Sequence, residues 1–561
     1  MHSLSRSARV TGLALVMLAL AGCVGIPTSG GVEPGPVIDD QLDPEFIVLP
    51  SGPRTGAPPD EILEDFMLAL RGPQNDYATA RLFLTRELAQ QWDPDESTII
   101  RTGIPSTSLA GDGSALAYTV TATAQVDADG RYSERTPGPQ TLEYTFAQQD
   151  GEWRISAAPN GIVLSQSSFN VVFTERPLYF FDPSHRFLVP DVRWFPSRQT
   201  IPVRVVRALL AGPASWLQNG VLLSAFPTAT TLDTSTTRGA VSIESGRATV
   251  QLSKEALSAS PQDRDWMRQQ LAASLGTSNV VMTVGGIELD TPDSGAQAVQ
   301  NPPVEGPVLI GTETSFGFDA GDGITAVAGL SDKIVAAGTL AATLSSDKQV
   351  AAILTANGVF VARAGGDPVI PVDTRSGLIA PSLDPFRFVW SAQGASAATL
   401  STFEVDGTEH PVQTGLPADA SIVSVDVSRD GTRVLVYLSS AVGPRLVVAG
   451  IIRDPSNVPV RLGELVELPV SDVTPVDATW VNDRTVASVG RAGEIYPVTA
   501  FELGGPSATI GQLPSAVSLA GGNGGTDGLR VMRTSGEVQR PQGSGSWVAT
   551  GIVGNYLGTK Q

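Results

Sequence analysis

Three stretches of patterned sequence follow one another along the chain, and each predicts a different kind of element. From Pro58 the apolar positions keep helical spacing. Ile62, Phe66 and Leu70 recur every fourth residue, flanked by Leu63 and Met67, with Asp60 placed to cap the helix and Arg71-Gly72-Pro73 to end it. A second helix is predicted from Tyr77 to Gln91, burying Ala80, Phe83, Leu84 and Leu88. Alternation then takes over. Leu116, Tyr118, Val120, Ala122 and Ala124 form one strand, and Leu142, Tyr144 and Phe146 another. Trp153, Ile155 and Ile162-Val163-Leu164 continue the pattern. Two helices followed by a curled antiparallel sheet predict a small α+β domain over residues 58–165.

The second stretch, residues 176–292, mixes both periods. Leu178–Phe181 and Phe187–Pro190 flank the turn Asp182-Pro183-Ser184-His185 and predict a hairpin. A helix is expected over Pro202–Leu210, stopping at Ala211-Gly212-Pro213. Strands are expected at Ala240–Ile243, Ala248–Leu252 and Asn279–Val284, with a helix at Arg264–Leu275 between the last two. The third stretch, 307–561, is short strands punctuated by turns. Its clearest unit is Val425–Tyr437, in which Asp430-Gly431 turns between two alternating strands. Weaker copies start near Ala342, Pro381, Val476 and Val517, and Asp347, Asp384, Asp430, Asp483 and Asp527 mark the turns. A period near 43 residues predicts a β-propeller of about six blades, with two β-sandwiches as the alternative.

The amino terminus carries a different signal. Arg6 and Arg9 precede an apolar run, Val10–Ala21, of about a dozen residues, too short to span a bilayer core of about 30 Å. Leu20-Ala21-Gly22-Cys23 follows, and Cys23 is the only cysteine of the 561 residues. This is the bacterial lipobox pattern. Residues 1–22 are read as a lipoprotein signal peptide, cleaved between Gly22 and Cys23, with S-diacylglycerol and N-acyl groups on Cys23. Residues 23–57, rich in Gly, Pro and Ser, are read as a tether. The expected location is the extracytoplasmic face of the cell membrane.

Charge and residue counts narrow the chemistry. The chain holds 37 basic and 57 acidic residues, a net −20, which becomes −22 once Arg6 and Arg9 leave with the leader. No basic stripe offsets this, which excludes nucleic acid as a partner. One cysteine excludes an internal disulfide, and three histidines, one of them His2 in the leader, leave little acid–base chemistry. No phosphate-binding loop, HExxH or GxSxG elbow is present. Asp127-Ala128-Asp129-Gly130 and Asp319–Gly323 read as turns. His185 and His410 sit in turns, and Trp194, Trp390, Trp480 and Trp547 read as core or blade anchors. No catalytic, cofactor-binding or metal-binding residue is assigned, and the chain is not expected to be an enzyme.

The segments also resemble known families. The first is similar to the cone-shaped NTF2-like fold. The second resembles the GerMN family through Tyr179-Phe180-Phe181, Leu188-Val189-Pro190, Arg193, Ala208–Pro213, Phe226–Leu232 and Arg247–Ser253. That resemblance implies a fold and a binding role and carries no catalytic residues. Tyr77–Thr85, Gln91–Pro94 and Val427–Val434, taken with the lipobox and the two other segments, resemble the actinobacterial lipoprotein LpqB family over nearly the whole chain. The resemblance implies an accessory lipoprotein of the Mtr two-component system. Its partner would be the extracytoplasmic domain of the sensor histidine kinase, in signalling linked to cell-wall growth and division.

Two functions therefore compete. One is a contact partner of a membrane sensor. The other is a carrier or sensor of a small cell-envelope ligand held in the N-terminal cone. A filled cone favours the first and an open apolar cavity the second. A hydrolase is disfavoured by the missing elbow and the two mature histidines.

Overall fold

The computed structural model describes residues 50–110, 115–198, 200–234, 239–292, 295–304, 308–321, 323–366, 369–522, 525–543 and 545–561. Gly22, Cys23 and the tether up to residue 49 lie outside them, as does Asp322. Among the described residues no helix is long and apolar enough to cross a membrane.

The first domain opens with helix α1 (Pro59–Ala69). Its start differs from expectation: Pro58 occupies the N-cap and Pro59 the first turn, so Asp60 lies inside the helix, beside Glu61 in the first turn. Proline suits that place because its missing N–H would have no partner there. The expected second helix is broken in two. Asn75, Asp76 and Tyr77 have positive φ of 50°, 59° and 55°, inside the span α2 (Gln74–Arg81), and α3 (Arg86–Gln91) starts afresh. The break has a tertiary cause. Thr85 N donates to Ile155 O at 2.8 Å and Ile155 N to Phe83 O at 2.9 Å, so Phe83–Thr85 covers the edge of the sheet. Thr85 then caps α3 by accepting from Leu88 N at 3.3 Å.

Five strands follow: β1 (Ser97–Ala110), β2 (Ala115–Asp127), β3 (Tyr132–Gln149), β4 (Glu152–Ala157) and β5 (Ile162–Ser165). They lie in the order β4-β3-β2-β1-β5, antiparallel except β1 with β5. The alternation read in β2 faces one way: Leu116, Tyr118, Val120, Ala122, Ala124 and Val126 are all buried. Helix α4 (Gln166–Val172), capped by Ser165, leads into the second domain.

There the hairpin β6 (Phe173–Phe181) and β7 (Phe187–Pro196) is longer than the sequence suggested, pairing from Phe173↔Pro196 to Phe181↔Leu188. A second sheet runs β11-β10-β9-β8, built from β8 (Val241–Glu244), β9 (Arg247–Leu252), β10 (Asn279–Val284) and β11 (Ile287–Glu288). Strand β12 (Val299–Gln300) pairs parallel with β7. Helices α5 (Ile201–Ala211) and α6 (Pro261–Leu275) complete the layer, and α6 begins at a capping box of Ser260 and Asp263. Phe180, Val189, Val206, Leu209, Val250, Met267 and Leu271 form the shared core.

From residue 309 onward the described residues form six sheets of four or five strands. Six apolar clusters join them into a ring, each built from two neighbouring sheets. Leu435, Tyr437, Trp480 and Val486 join the fourth and fifth, for example, and Ile310, Met532, Val538 and Leu557 join the sixth back to the first. This is the closed arrangement of a propeller, which leaves only short edges exposed. Tyr556–Leu557 pairs with the first sheet and Thr559–Lys560 with the second, so the end of the chain stitches the seam.

The turn at Asp430 shows how a sheet is closed. The strands Ser421–Val427 and Arg433–Ser440 are joined by five residues. Asp430 Oδ1 accepts from Ser428 Oγ at 2.7 Å and Thr432 N at 2.9 Å, and Oδ2 from Arg433 Nη2 at 2.6 Å. Asp347 and Asp384 accept from their own turns in the same way. Asp483 lies in its turn as expected, and there its neighbour Asn482 accepts from Arg484 N and Thr485 N at 2.8 and 2.7 Å. An amide oxygen serves the turn as a carboxylate does and leaves no charge behind.

Gly431 has φ +71°, and a Cβ there would lie 2.8 Å from both the Phe386 ring and Pro385. Gly431→Val is therefore expected to destabilise the ring by at least about 1–3 kcal/mol, the cost of a strained backbone site, with the steric clash in addition. Urea unfolding followed by tryptophan fluorescence measures the loss.

Candidate interaction site

The three domains meet on one strand. All ten residues of β7 are buried. Asp191 and Arg193 form an ion pair inside the protein, with Nη2–Oδ2 at 2.6 Å and Nε–Oδ1 at 3.2 Å. Ala214 N gives Asp191 a further donor at 2.8 Å. Arg193 Nη1 reaches out of the hairpin to Asp129 O at 3.1 Å, and Trp194 N donates to Gly130 O at 2.8 Å. The turn Asp127–Gly130 thus docks the first domain onto β7. Its Asp127 Oδ1 is engaged by its own backbone, accepting from Asp129 N and Arg131 N at 2.9 Å each. Gly130 must be glycine: φ is +80°, and a Cβ would stand 2.8 Å from Trp194 O.

The same tryptophan holds the ring. Trp194 Nε1 donates to Gly504 O at 2.8 Å, and its rings pack on Phe169 and Tyr132 with centroids 4.9 and 6.0 Å apart. Glu175 pairs with Arg484, and Glu134 Oε1 accepts from Ser507 N at 3.1 Å. Elsewhere Ile452 of the fourth sheet is buried in the core of the second domain. The three domains are one packed body.

The interior of the first domain is filled. Phe66 meets Trp92, Tyr144 and Phe83 with centroids 5.7, 6.3 and 6.4 Å apart, and Tyr77 meets Trp92 at 6.2 Å. Two open depressions lie elsewhere. One of about 300 Å³ is lined by Ser439, Asp472 and Arg491, and one of about 540 Å³ by Thr231, Ser253, Glu255 and Gly285.

The inner face of the ring carries polar groups that the sequence did not single out. Innermost strands leave one backbone edge facing the centre, and a side chain from the preceding sheet serves it. Ser382 Oγ accepts from Val427 N at 3.0 Å, Ser424 Oγ from Ala478 N at 3.1 Å, and Asp426 Oδ2 from Trp480 N at 3.0 Å. Asp477 Oδ2 accepts from Leu519 N at 2.8 Å, and Thr343 Oγ1 donates to Pro381 O at 2.8 Å. Burial pushes both carboxyls up: Asp426 rises above the usual range, and Asp477, also beside the Asp426 charge, is pushed up to about 7. The signal available in the sequence was a polar residue at every second position, Ser424-Asp426-Ser428. It did not say that this face meets the next sheet.

The remaining singled-out residues take structural places. His185 stacks on Trp266 with centroids 3.8 Å apart, and His410 Nε2 lies 2.9 Å from Glu404 Oε1. Trp390 and Trp480 are buried and bond to Asp384 and Asp426 O, while Trp547 packs against the cluster joining the fifth and sixth sheets. Among the described residues no three His, Cys, Asp or Glu gather as a metal site.

Comparison with known proteins agrees in order and extent with these three domains. The family model "Lipoprotein LpqB, N-terminal domain" matches residues 52–170, "Sporulation and spore germination" 177–290, and "Lipoprotein LpqB beta-propeller domain" 317–553. The chain belongs to the LpqB lipoprotein family. It is 26% identical to Lipoprotein LpqB of Cutibacterium acnes over 92% of each chain. It is 27% identical to that of Streptomyces coelicolor over 87% of this chain and 86% of the relative. None of the three model descriptions names a reaction. Among solved structures, TolB from Acinetobacter baumannii is similar at 14% identity and TM-score 0.30, over 43% of this chain and 64% of TolB. The tandem GerMN domains of GerM from Bacillus subtilis are similar at 20% identity and TM-score 0.18, over 26% and 58%.

Two outcomes follow for this family member. Arg193→Ala leaves Asp191 charged and buried, and is expected to cost about 3–5 kcal/mol by chemical denaturation. Asp477 has a folded pKa raised to about 7. The folded state therefore binds more protons than the unfolded one between the usual carboxylate value and about 7. That contribution is present at low pH and is lost as pH rises through 7. Asp477→Asn is expected to lessen the fall in melting temperature between pH 5 and 8, measured by calorimetry on both chains.

Proposed function

We propose that this family member is anchored through Cys23 to the extracytoplasmic face of the cell membrane. There it acts as an accessory protein that binds and modulates a membrane sensor histidine kinase, the sensor of the Mtr system, in signalling linked to cell-wall growth and division. The kinase and the pathway come from the resemblance. The observation that carries the general reading is the docking of three domains through β7 with the N-terminal interior filled by Phe66, Phe83, Trp92 and Tyr144. A body of this kind offers its surfaces rather than a pocket. A lipid anchor supports contact of this kind, because confinement to one layer raises effective concentration and lets a weak interface suffice. The lipobox cysteine supplies that anchor, and the relatives are named lipoproteins.

The test has two parts. The chain without its leader, titrated in a calorimeter with the extracytoplasmic domain of the sensor, is expected to bind with a Kd on the order of micromolar; no binding at about 100 µM contradicts the partner reading. Cys23→Ala should abolish partitioning into detergent, and a variant still found in the detergent phase with its leader removed contradicts the anchor.

A further inference from the structure

The ring has two faces, and the docked domains occupy one of them. In each regular sheet the strands run antiparallel, so the turns from first to second strand and from third to fourth lie at one end. The contacts with the other domains are made there. Glu175 pairs with Arg484 and Trp194 Nε1 bonds Gly504 O, in those two turns of the fifth sheet. Arg186 lies over the Phe386 ring in the matching turn of the third sheet, 5.6 Å from its centroid. The turns from second to third strand, and the links from sheet to sheet, lie at the opposite end. They take part in none of these contacts.

That uncovered face gathers exposed apolar side chains. Val442, 92% accessible, is in the turn between Arg433–Ser440 and Gly443–Arg453. Ile495, 42% accessible, is in the equivalent turn of the fifth sheet. Val517 N donates to Met532 O, and Val553 pairs with Glu537, which sets both at the same end of the sixth sheet. Leu340 precedes the second sheet there, its N bonded to Leu354 O. Exposed Val460 lies at the other end, beside Arg453 and Pro459. Apolar side chains gathered on one uncovered face mark an interaction surface.

Between Val442 and Ile495 the face dips. The depression of about 300 Å³ is bounded by Ser439, Ser440 and Gly443 on the fourth sheet and by Ala492 and Gly493 on the fifth, with Asp472 in the link between them. The charges of the face are unbalanced. Its bases are engaged: Arg375 pairs with Asp373 at 2.6 Å, Arg533 with Glu537 at 3.2 Å, and Arg445 with Glu467. Arg491 Nε, at the depression, donates to Gly493 O at 2.9 Å, and its Nη2 lies 3.9 Å from Glu494. The exposed acids Glu313, Asp419 and Asp472 make no ion pair among the described residues.

We infer that this face, centred on Val442, Asp472 and Ile495, is the surface that meets the sensor, and that it takes a segment with a lysine or arginine between apolar side chains. The inference rests on the proposed role as a partner of the sensor. Charge selects the occupant. The basic group sits at Asp472, whose carboxylate is free to accept it, while its apolar neighbours cover Val442 and Ile495. A second copy would bring the same unpaired acids, and a bilayer with anionic headgroups would repel them. The docked domains stand on the other side of the ring and leave this approach open.

The test is calorimetric titration of the chain without its leader against the extracytoplasmic domain of the sensor. Val442→Glu and Asp472→Lys are each expected to weaken binding by at least about tenfold, while Val460→Glu changes it by no more than about twofold. Added salt is expected to weaken binding of the parent more than that of Asp472→Asn, because the charge contact is screened. The substituted positions are exposed, and melting at the parent's temperature shows that the fold is intact. A parent that binds, with Val442→Glu and Asp472→Lys binding equally well, overturns this face and leaves the partner reading standing. A parent that fails to bind at about 100 µM overturns the partner reading and this inference with it. Sedimentation of the parent with vesicles of phosphatidylcholine and phosphatidylglycerol, lost in Val442→Glu, would make the face a lipid surface and also overturns the inference.

Discussion

Everything in this molecule is arranged around the burial of β7. A strand with every residue inside needs all its polar groups answered, and the answers come from three directions. Strand β6 supplies the ladder, Asp191 neutralises Arg193, Gly130 O takes the Trp194 amide, and Gly504 O takes its indole. The groups that satisfy the strand are the ones that dock its neighbours. The first domain and the ring cannot leave without stranding a buried donor, at about 1–3 kcal/mol for each.

The ring solves a second problem by a related device. Its blade-to-blade cores are apolar, but the innermost strands expose a backbone edge to the centre. Serine, threonine and aspartate from one sheet serve the next, from Thr343 through Ser382, Ser424 and Asp426 to Asp477. Two of these acceptors are buried carboxyls, and burial holds their pKa values up. Raised by burial, these two carboxyls are expected to make the ring's stability fall as pH rises toward neutrality.

Much of the fold was legible because its signals are local. Alternation in β2, the spacing of α1 and the turn at Asp430 each depend on residues close in sequence. What was not legible depends on residues far apart. The continuous helix expected across Tyr77–Gln91 breaks because Phe83–Thr85 is needed at the edge formed by Ile155. The turn marked by Asp483 is where expected, but the side chain that serves it is Asn482, and nothing local distinguishes the two acceptors. Arg193 stood out only as part of a motif. Its pairing two residues back, and its reach to Asp129, required the hairpin to be in place. Asp426 and Asp477 looked like ordinary polar positions of half-exposed strands, because nothing local tells which face closes on a neighbouring sheet.

The central claim is that three family-defining domains act as one body, through surfaces rather than pockets. Cooperative unfolding is the most direct measure of it. Differential scanning calorimetry of the chain without its leader is expected to give a single transition whose calorimetric and van't Hoff enthalpies agree. Two or three separable transitions, matching residues 58–165, 176–292 and 307–561, would show domains that merely touch, and would contradict the account.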